Sequence, residues 1–222
     1  MLKNLCLYCL ACFFTLGALS HAQDIDPQEV RQAIDRGIHF LRQQQNADGS
    51  WPREGGEERC GSTAIAVIAL RSCGVPADDP AIQRAMRFLR AWPGEEAGQN
   101  YSLSLQTMAF CLVDPVADLA RIRQNIELLE KNQSRMGHDS GGWYYSPTGN
   151  SDLSNSQFSV LALYEAERVG VRVNDATWRA ALRYWSETQN PDGSWGYHAR
   201  PGGGSSSPRG SMTCAGIASL IV

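Results

Sequence analysis

The chain has 222 residues, 43% hydrophobic and 19% charged, with a formal net charge of −3. That suits a globular chain with one good-sized core or a short repeat array. A net negative charge without a basic patch excludes nucleic acid as an expected partner.

The first 22 residues stand apart. Lys3 supplies a positive start, Leu5 to Leu19 is apolar, and Ser20-His21-Ala22 offers small residues at the two positions that signal peptidase reads. The apolar run of about 15 residues is short for a membrane span of roughly 20. Residues 1–22 are therefore predicted to be a signal peptide, and the mature chain to be exported (periplasmic or secreted) and not transmembrane. Beyond them lie Cys60, Cys73, Cys111 and Cys214. An even number in an exported chain permits disulfides. Cys73, Cys111 and Cys214 nevertheless lie in apolar runs, where a thiol packs as a small buried hydrophobe.

Asp26-Pro27 is an N-cap with proline at N1, and Val30, Ile34, Ile38 and Leu41 then form one stripe at helical spacing. This helix gives out near Gln44, before Asn46-Ala47-Asp48-Gly49. Ser62 to Cys73 is apolar and small enough to be buried on nearly all sides, with Gly74 as its C-cap. An amphipathic helix followed by a buried one makes one hairpin. Asp79-Pro80 opens a second, in which Arg84 to Leu89 copies the spacing of Arg36 to Leu41 and the apolar helix is Tyr101 to Val113. Its turn is degenerate, with Pro93 where glutamine is due. Asp114-Pro115 opens a third hairpin, running to Gln133, with an enlarged turn ending Gly141-Gly142-Trp143 and a buried helix from Ser154 to Arg168. Asn174 or Asp175 opens a fourth, through Gln189 to Trp195. A Gly/Ser-rich loop, Pro201 to Pro208, precedes the apolar run Ser211 to Val222, which carries no helix stop signal and reads as cut short.

The phrase QN-x-DGSW occurs at Gln45–Trp51 and again at Gln189–Trp195. No segment alternates with period two long enough for a good strand. The prediction is all-α: stacked α-hairpins, about four outer amphipathic helices and four inner apolar ones, over residues 23–222. Aligning the inner helices on Leu70, Leu112, Leu163 and Leu220 puts Thr63, Leu105, Ser156 and Thr213 at one level, and Ala64, Gln106, Gln157 and Cys214 at the next.

Arg36, Gly37, Phe40, Leu41, Gln45, Gly49 and Trp51 fill every position of the QW repeat of squalene and hopene cyclases. The fourth repeat keeps Ala181, Tyr184, Gln189, Gly193 and Trp195. The third keeps Leu129, Gln133, Gly141 and Trp143, and the second only its front half. The chain thus resembles the prenyltransferase and squalene-oxidase repeat superfamily over nearly all its mature length, which implies part of an α/α toroid. Physically the motif reads as a brace. The glutamine amide can serve orphan carbonyls at the end of the outer helix. Glycine permits the turn, and the tryptophan covers the glutamine or the neighbouring hairpin.

The resemblance implies two chemistries. Cyclases protonate an alkene with an aspartic acid kept neutral among neighbouring carboxylates. Asp24-Ile25-Asp26 and Asp78-Asp79 fit helix caps better than that motif. Protein prenyltransferases hold zinc with Asp, Cys and His. The ligand-type residues here are Cys60, Cys214, His138, Asp139 and His198, of which Cys214, His138 and His198 are the metal candidates, in no spacing typical of zinc. The Gly-Cys-Gly-Glu-Gln of thioester domains on the same toroid is missing. No metal and no cofactor is assigned.

A polar layer remains where the inner helices begin: Ser104, Gln106, Asp152, Ser154, Asn155, Ser156, Gln157, Thr213 and Cys214, with Tyr144 and Tyr145 nearby. Of these, Gln106, Asp152, Asn155, Gln157, Thr213 and Cys214 are the candidates for the rim of a central cavity. Ser154, Asn155 and Ser156 double as helix caps. Gln106 and Gln157 either bond each other or face a wet cavity, because an unpaired amide in an apolar helix loses free energy. The functional expectation is a repeat domain binding a polyprenoid or another small apolar ligand in its centre. The alternative is a terpene cyclase or prenyltransferase-type enzyme whose catalytic motif lies beyond Val222. A polysaccharide-active toroid is a third reading.

Overall fold

The computed structural model describes residues 26–52, 60–92, 100–146 and 150–222. The expected signal peptide, residues 1–22, lies outside them, as does the degenerate turn at Pro93. The chain forms two units, Met1–Gly37 and Ile38–Val222. Among the described residues eight α-helices run in order: α1 (Pro27–Gln44), α2 (Cys60–Ser72), α3 (Pro80–Ala91), α4 (Asn100–Val113), α5 (Leu119–Asn132), α6 (Leu153–Arg168), α7 (Asp175–Glu187) and α8 (Gly210–Ile221). Among the described residues there is no strand, only isolated bridges such as Trp143 with Asp152.

The first unit holds the opening of α1. The Asp26 carboxylate accepts the Gln28 N–H at 2.8 Å, as a cap followed by Pro27 should. The expected buried stripe is only half realised: Val30 and Ile34 are 42% and 40% exposed.

In the second unit Ile38 and Leu41 do pack against the core. The inner helices α2, α4, α6 and α8 pack in succession; α3 lies on α2, α5 on α4 and α6, and α7 on α8. Local chemistry sets the boundaries. Asp79 caps α3 through the Ala81 N–H at 2.8 Å and Asn174 caps α7 through Ala176 at 2.9 Å. The cap of α6 is Asp152, whose Oδ1 accepts the Asn155 N–H at 2.8 Å, so the Ser154–Ser156 segment lies inside the helix rather than before it. Helix α5 begins at Leu119, later than Asp114-Pro115 suggested. Asp114 instead closes a turn by accepting the Ala117 N–H at 3.1 Å, and the chain enters the helix from Asp118. Gly74 and Gly170 end α2 and α6 with φ of +85° and +86°. There Val75 and Val171 reach back to the carbonyls of Leu70 and Ala166 at 3.1 and 2.9 Å.

The cysteines divide. Cys60 and Cys111 are buried, whereas Cys73 and Cys214 are exposed. Cys73 falls in the turn just past α2, and Cys214 lies on an open face of α8, so the expectation of buried thiols fails for these two. Among the described residues no disulfide forms.

Candidate functional site

The repeated turns share one geometry with a division of labour that the sequence misassigned. Trp51, Trp143 and Trp195 are all buried. Their indole N–H groups donate to the carbonyls of Leu41 (2.8 Å), Leu129 (2.8 Å) and Trp185 (3.0 Å), each in the last turn of its own outer helix. The tryptophan, not the glutamine, serves the orphan carbonyls. The glutamine looks forward instead. Gln45 Nε2 donates to Gly49 O (3.0 Å) and across to Ala81 O in α3 (2.9 Å). Gln133 does the same with Gly141 O (3.0 Å) and Thr177 O in α7 (3.1 Å). Arg84 returns a bond to Gln45 Oε1 at 2.6 Å. Gly49 and Gly141 have φ of +90° and +99°, and a Cβ on either would collide with a backbone carbonyl of the next outer helix, Arg84 or Ala180. The motif is thus a cross-hairpin clamp. Gln189 donates to Gly193 O at 3.0 Å, but both residues are exposed.

The predicted level of Thr63, Ser156 and Thr213 is real and structural. Their hydroxyls accept the backbone N–H of Trp51 (3.0 Å), Trp143 (2.9 Å) and Trp195 (3.2 Å). Ser156 and Thr213 pass the bond on to the carbonyls of Asp152 (2.7 Å) and Arg209 (3.0 Å). Three residues further along each inner helix stand Ala66, Ser159 and Gly216. A Cβ on Gly216 would lie 2.6 Å from the Trp195 ring. Small side chains there make room for the indole.

Gln106 follows from the same geometry. Its repeat has no clamp tryptophan, and Leu105 replaces the hydroxyl. Gln106 Nε2 donates to Leu89 O (3.1 Å), the counterpart of Leu41 O and Leu129 O, and to Trp92 O (3.0 Å). Asn125 Nδ2 satisfies its Oε1 at 3.0 Å. The amide stands in for the missing indole: Gln106 is 1% exposed and bonded to its own hairpin and α5, not to Gln157, and it lines a cavity of about 370 Å³ with Arg90, Trp92 and Asn125.

The other rim candidates separate. Asp152 is buried and spends both oxygens within α6, on Ser154 Oγ (2.6 Å), Asn155 N (2.8 Å) and Asn155 Nδ2 (2.7 Å). Asn155 is fully buried, and its Oδ1 has no hydrogen-bond partner among the described residues. Thr213 belongs to the Trp195 brace. Gln157 and Cys214 remain on the solvent side, half-buried and exposed. His138 sits in the 3-10 turn Gly137–Asp139 and His198 in the loop before α8, both exposed. Among the described residues no three His, Cys, Asp or Glu side chains converge on a common point.

What sequence reading missed is the free face of the inner row. On α4 it presents Tyr101, Met108 and Leu112, and on α6 Phe158, Leu161 and Tyr164, each partly or largely exposed. Tyr101 and Phe158 meet with ring centroids 4.4 Å apart, and Tyr145 lies 6.4 Å from Tyr101. Buried Asn100 holds this corner together. Its Nδ2 donates to Tyr144 O, its N–H donates to Tyr145 O (3.2 Å), and its Oδ1 accepts from Asn132 (3.1 Å). Burial raises the Tyr101 hydroxyl above its ordinary pKa, with Tyr145 adding to it. This is a surface of apolar and aromatic side chains with few charges: Arg168 lies 6.0 Å above the Tyr164 ring and is tied to Glu165 at 2.9 Å. It suits an uncharged, hydrocarbon-rich ligand. The spacing 101, 108, 112 and 158, 161, 164 was legible as a helical stripe, but in helices apolar all round it carried no contrast.

No curated protein matches the chain. Residues 19–108, which hold the complete first clamp and the substituted second one, match the family model described as squalene-hopene cyclase N-terminal domain. Over that segment the chain is similar to the squalene-hopene cyclase N-terminal domain family.

Proposed function

We propose that this is an exported repeat domain of undefined activity that binds a polyprenoid or another small apolar ligand on the free face of its inner helices. The observation behind it is the half-exposed face of α4 and α6, where Tyr101, Met108, Phe158, Leu161 and Tyr164 keep apolar and aromatic surface in contact with water. Hydrophobic surface left open in this way gains about 25 cal/mol per Å² when a ligand covers it. The clamp residues Gln45, Gly49 and Trp51 and their counterparts Gln133, Gly141 and Trp143 are engaged in bracing, so the binding role falls to the inner face.

The experiment is retention of a polyprenoid alcohol. Purified protein is equilibrated with farnesol, re-isolated and extracted. Stoichiometric retention is expected, with loss in Leu161→Glu or Tyr164→Glu at an unchanged thermal midpoint. No retention by the wild type, or full retention by both variants, sinks the proposal. Conversion of squalene to a cyclised product would replace it with the enzyme reading.

A further inference from the structure

We propose that a cavity between α3, α4 and α5, at the seat of the missing second clamp, binds a neutral sugar ring. The repeats show why a cavity lies there. In the first and third turns the clamp glutamine donates to Ala81 O and Thr177 O, and the glycine packs on the carbonyls of Arg84 and Ala180. In α3 and α7 these positions precede Leu89 and Trp185, whose carbonyls take the amide or indole donor. Counted back in the same way from Leu129, the two positions in α5 are Arg121 and Gln124. No clamp is due to cover them, since Pro93 stands at the glutamine position and no tryptophan occurs between it and Asn100. Arg121 and Gln124 instead line an open cavity of about 370 Å³, together with Arg90, Trp92, Gln106 and Asn125.

The wall selects a neutral ligand rich in hydroxyls. Its two guanidinium groups are already balanced: Arg90 and Arg121 reach buried Asp118 at 2.8 and 3.6 Å, and Arg90 reaches Asp114 at 4.0 Å. A free anion would have to compete with those carboxylates, and a hydrocarbon would strand the polar wall without partners. What the wall offers is hydrogen-bonding capacity of both kinds. Gln124 is exposed and its amide bonds to no described residue. Asn125, 2% exposed, donates to Gln106 Oε1 (3.0 Å) and Thr107 Oγ1 (3.1 Å), while its Oδ1 accepts from no described residue. The buried Trp92 Nε1 likewise lacks an acceptor among them. Sugar hydroxyls donate and accept at once and so match amides and guanidinium groups. The Trp92 and Phe110 rings on the same wall give the C–H face of a sugar an apolar surface to lie on. The volume falls near the lower end of ligand pockets, about 300–1,000 Å³, which suits a ligand of this size. None of these residues belongs to the inner face of Tyr101, Phe158, Leu161 and Tyr164, so the two sites stand or fall separately.

Saturation-transfer-difference NMR of the full chain with glucose, mannose and N-acetylglucosamine tests this. Saturable transfer to at least one of these sugars is expected. Gln124→Leu removes hydrogen-bonding capacity from the wall, and Ala120→Trp fills the cavity from an exposed position on α5. Each should weaken binding at least about tenfold, with an unchanged thermal midpoint because neither side chain is buried. Tyr164→Glu, on the inner face, should bind the sugar as the wild type does. No saturable transfer to any of the three sugars, unchanged affinity in either folded variant, or displacement of the sugar by equimolar acetate overturns the proposal.

Discussion

At the scale of single residues, two glycines with the same backbone angle isolate what the clamp contributes. Gly141 and Gly193 have φ of +99° and +84°. Any L side chain there is strained by about 1–2 kcal/mol. A Cβ on Gly141 also runs into the Ala180 carbonyl, whereas on Gly193 the nearest atom beyond the adjacent residues is Gln189 Nε2 at 3.9 Å. Gly193→Ala is therefore expected to lose only the conformational part, about 1–2 kcal/mol. Gly141→Ala should exceed about 4 kcal/mol, a loss reached only where packing itself is broken. Urea denaturation of the two variants decides it, and equal losses would mean that the close approach of turn and next helix is not what selects glycine. The sequence displayed these glycines through their motif, but it could not show that one is covered and the other bare. That difference lies in the presence of the next helix.

Among the elements, a second link recurs three residues before the first three clamp glutamine positions. Arg42 reaches the α3 cap Asp79 (2.7 Å), Arg90 reaches Asp118 at the start of α5, and Glu130 accepts the N–H of Asn174, the α7 cap, at 2.6 Å. Arg90 and Asp118 form the strongest of these: Arg90 Nε to Oδ1 at 2.9 Å and Nη2 to Oδ2 at 2.8 Å, with the carboxylate fully buried. Asp118→Ala is expected to destabilise the fold by about 1.5–3 kcal/mol, the range for hydrogen bonds to charged groups. Arg42→Ala, at a pair half open to water, should cost at most about 1 kcal/mol. Chemical denaturation of both variants gives the comparison, and a loss at Asp118 no larger than at Arg42 would count against the buried pair. Hairpin order and helix type were legible because each outer helix opens on a capping residue and each inner one is apolar throughout. The start of α5 was not, because Asp114-Pro115 and Asp118 are both plausible openings in one dimension. Only the position of Arg90 in space selects Asp118. Gln106 was visible as an anomaly, an amide in an apolar helix, but its role required knowing that the Leu89 carbonyl sits where an indole donor serves the other repeats.

For the molecule as a whole, the core that joins inner and outer helices also sets its response to alkali. Burial, and then Glu165, pushes the Cys111 thiol from 9.0 up to about 12. Burial raises the Tyr184 hydroxyl strongly and the Tyr101 hydroxyl as well, both from 10.0. All three are neutral when protonated, so the folded state keeps protons that the unfolded chain releases. The unfolded state then binds fewer protons than the native one, and stability falls with rising pH. The contribution is whole below pH 9 and drains away as pH climbs from there through about 12 for Cys111, with the tyrosines following from 10. The urea midpoint is therefore expected to be flat through neutrality and to decline above pH 9. Cys111→Ala should start from a lower midpoint, since a buried side chain is trimmed. Its decline at the onset of that window should be shallower, because one of the three groups no longer titrates. The thiol chemistry follows the same burial: a thiol-reactive reagent at neutral pH should modify exposed Cys73 and Cys214 while Cys111 stays protected until the chain unfolds. Rapid labelling of Cys111 in the native state, or a midpoint that holds level to pH 12 in the wild type, would show that α4 and α6 open far more readily than a core sealed by the clamped outer helices allows.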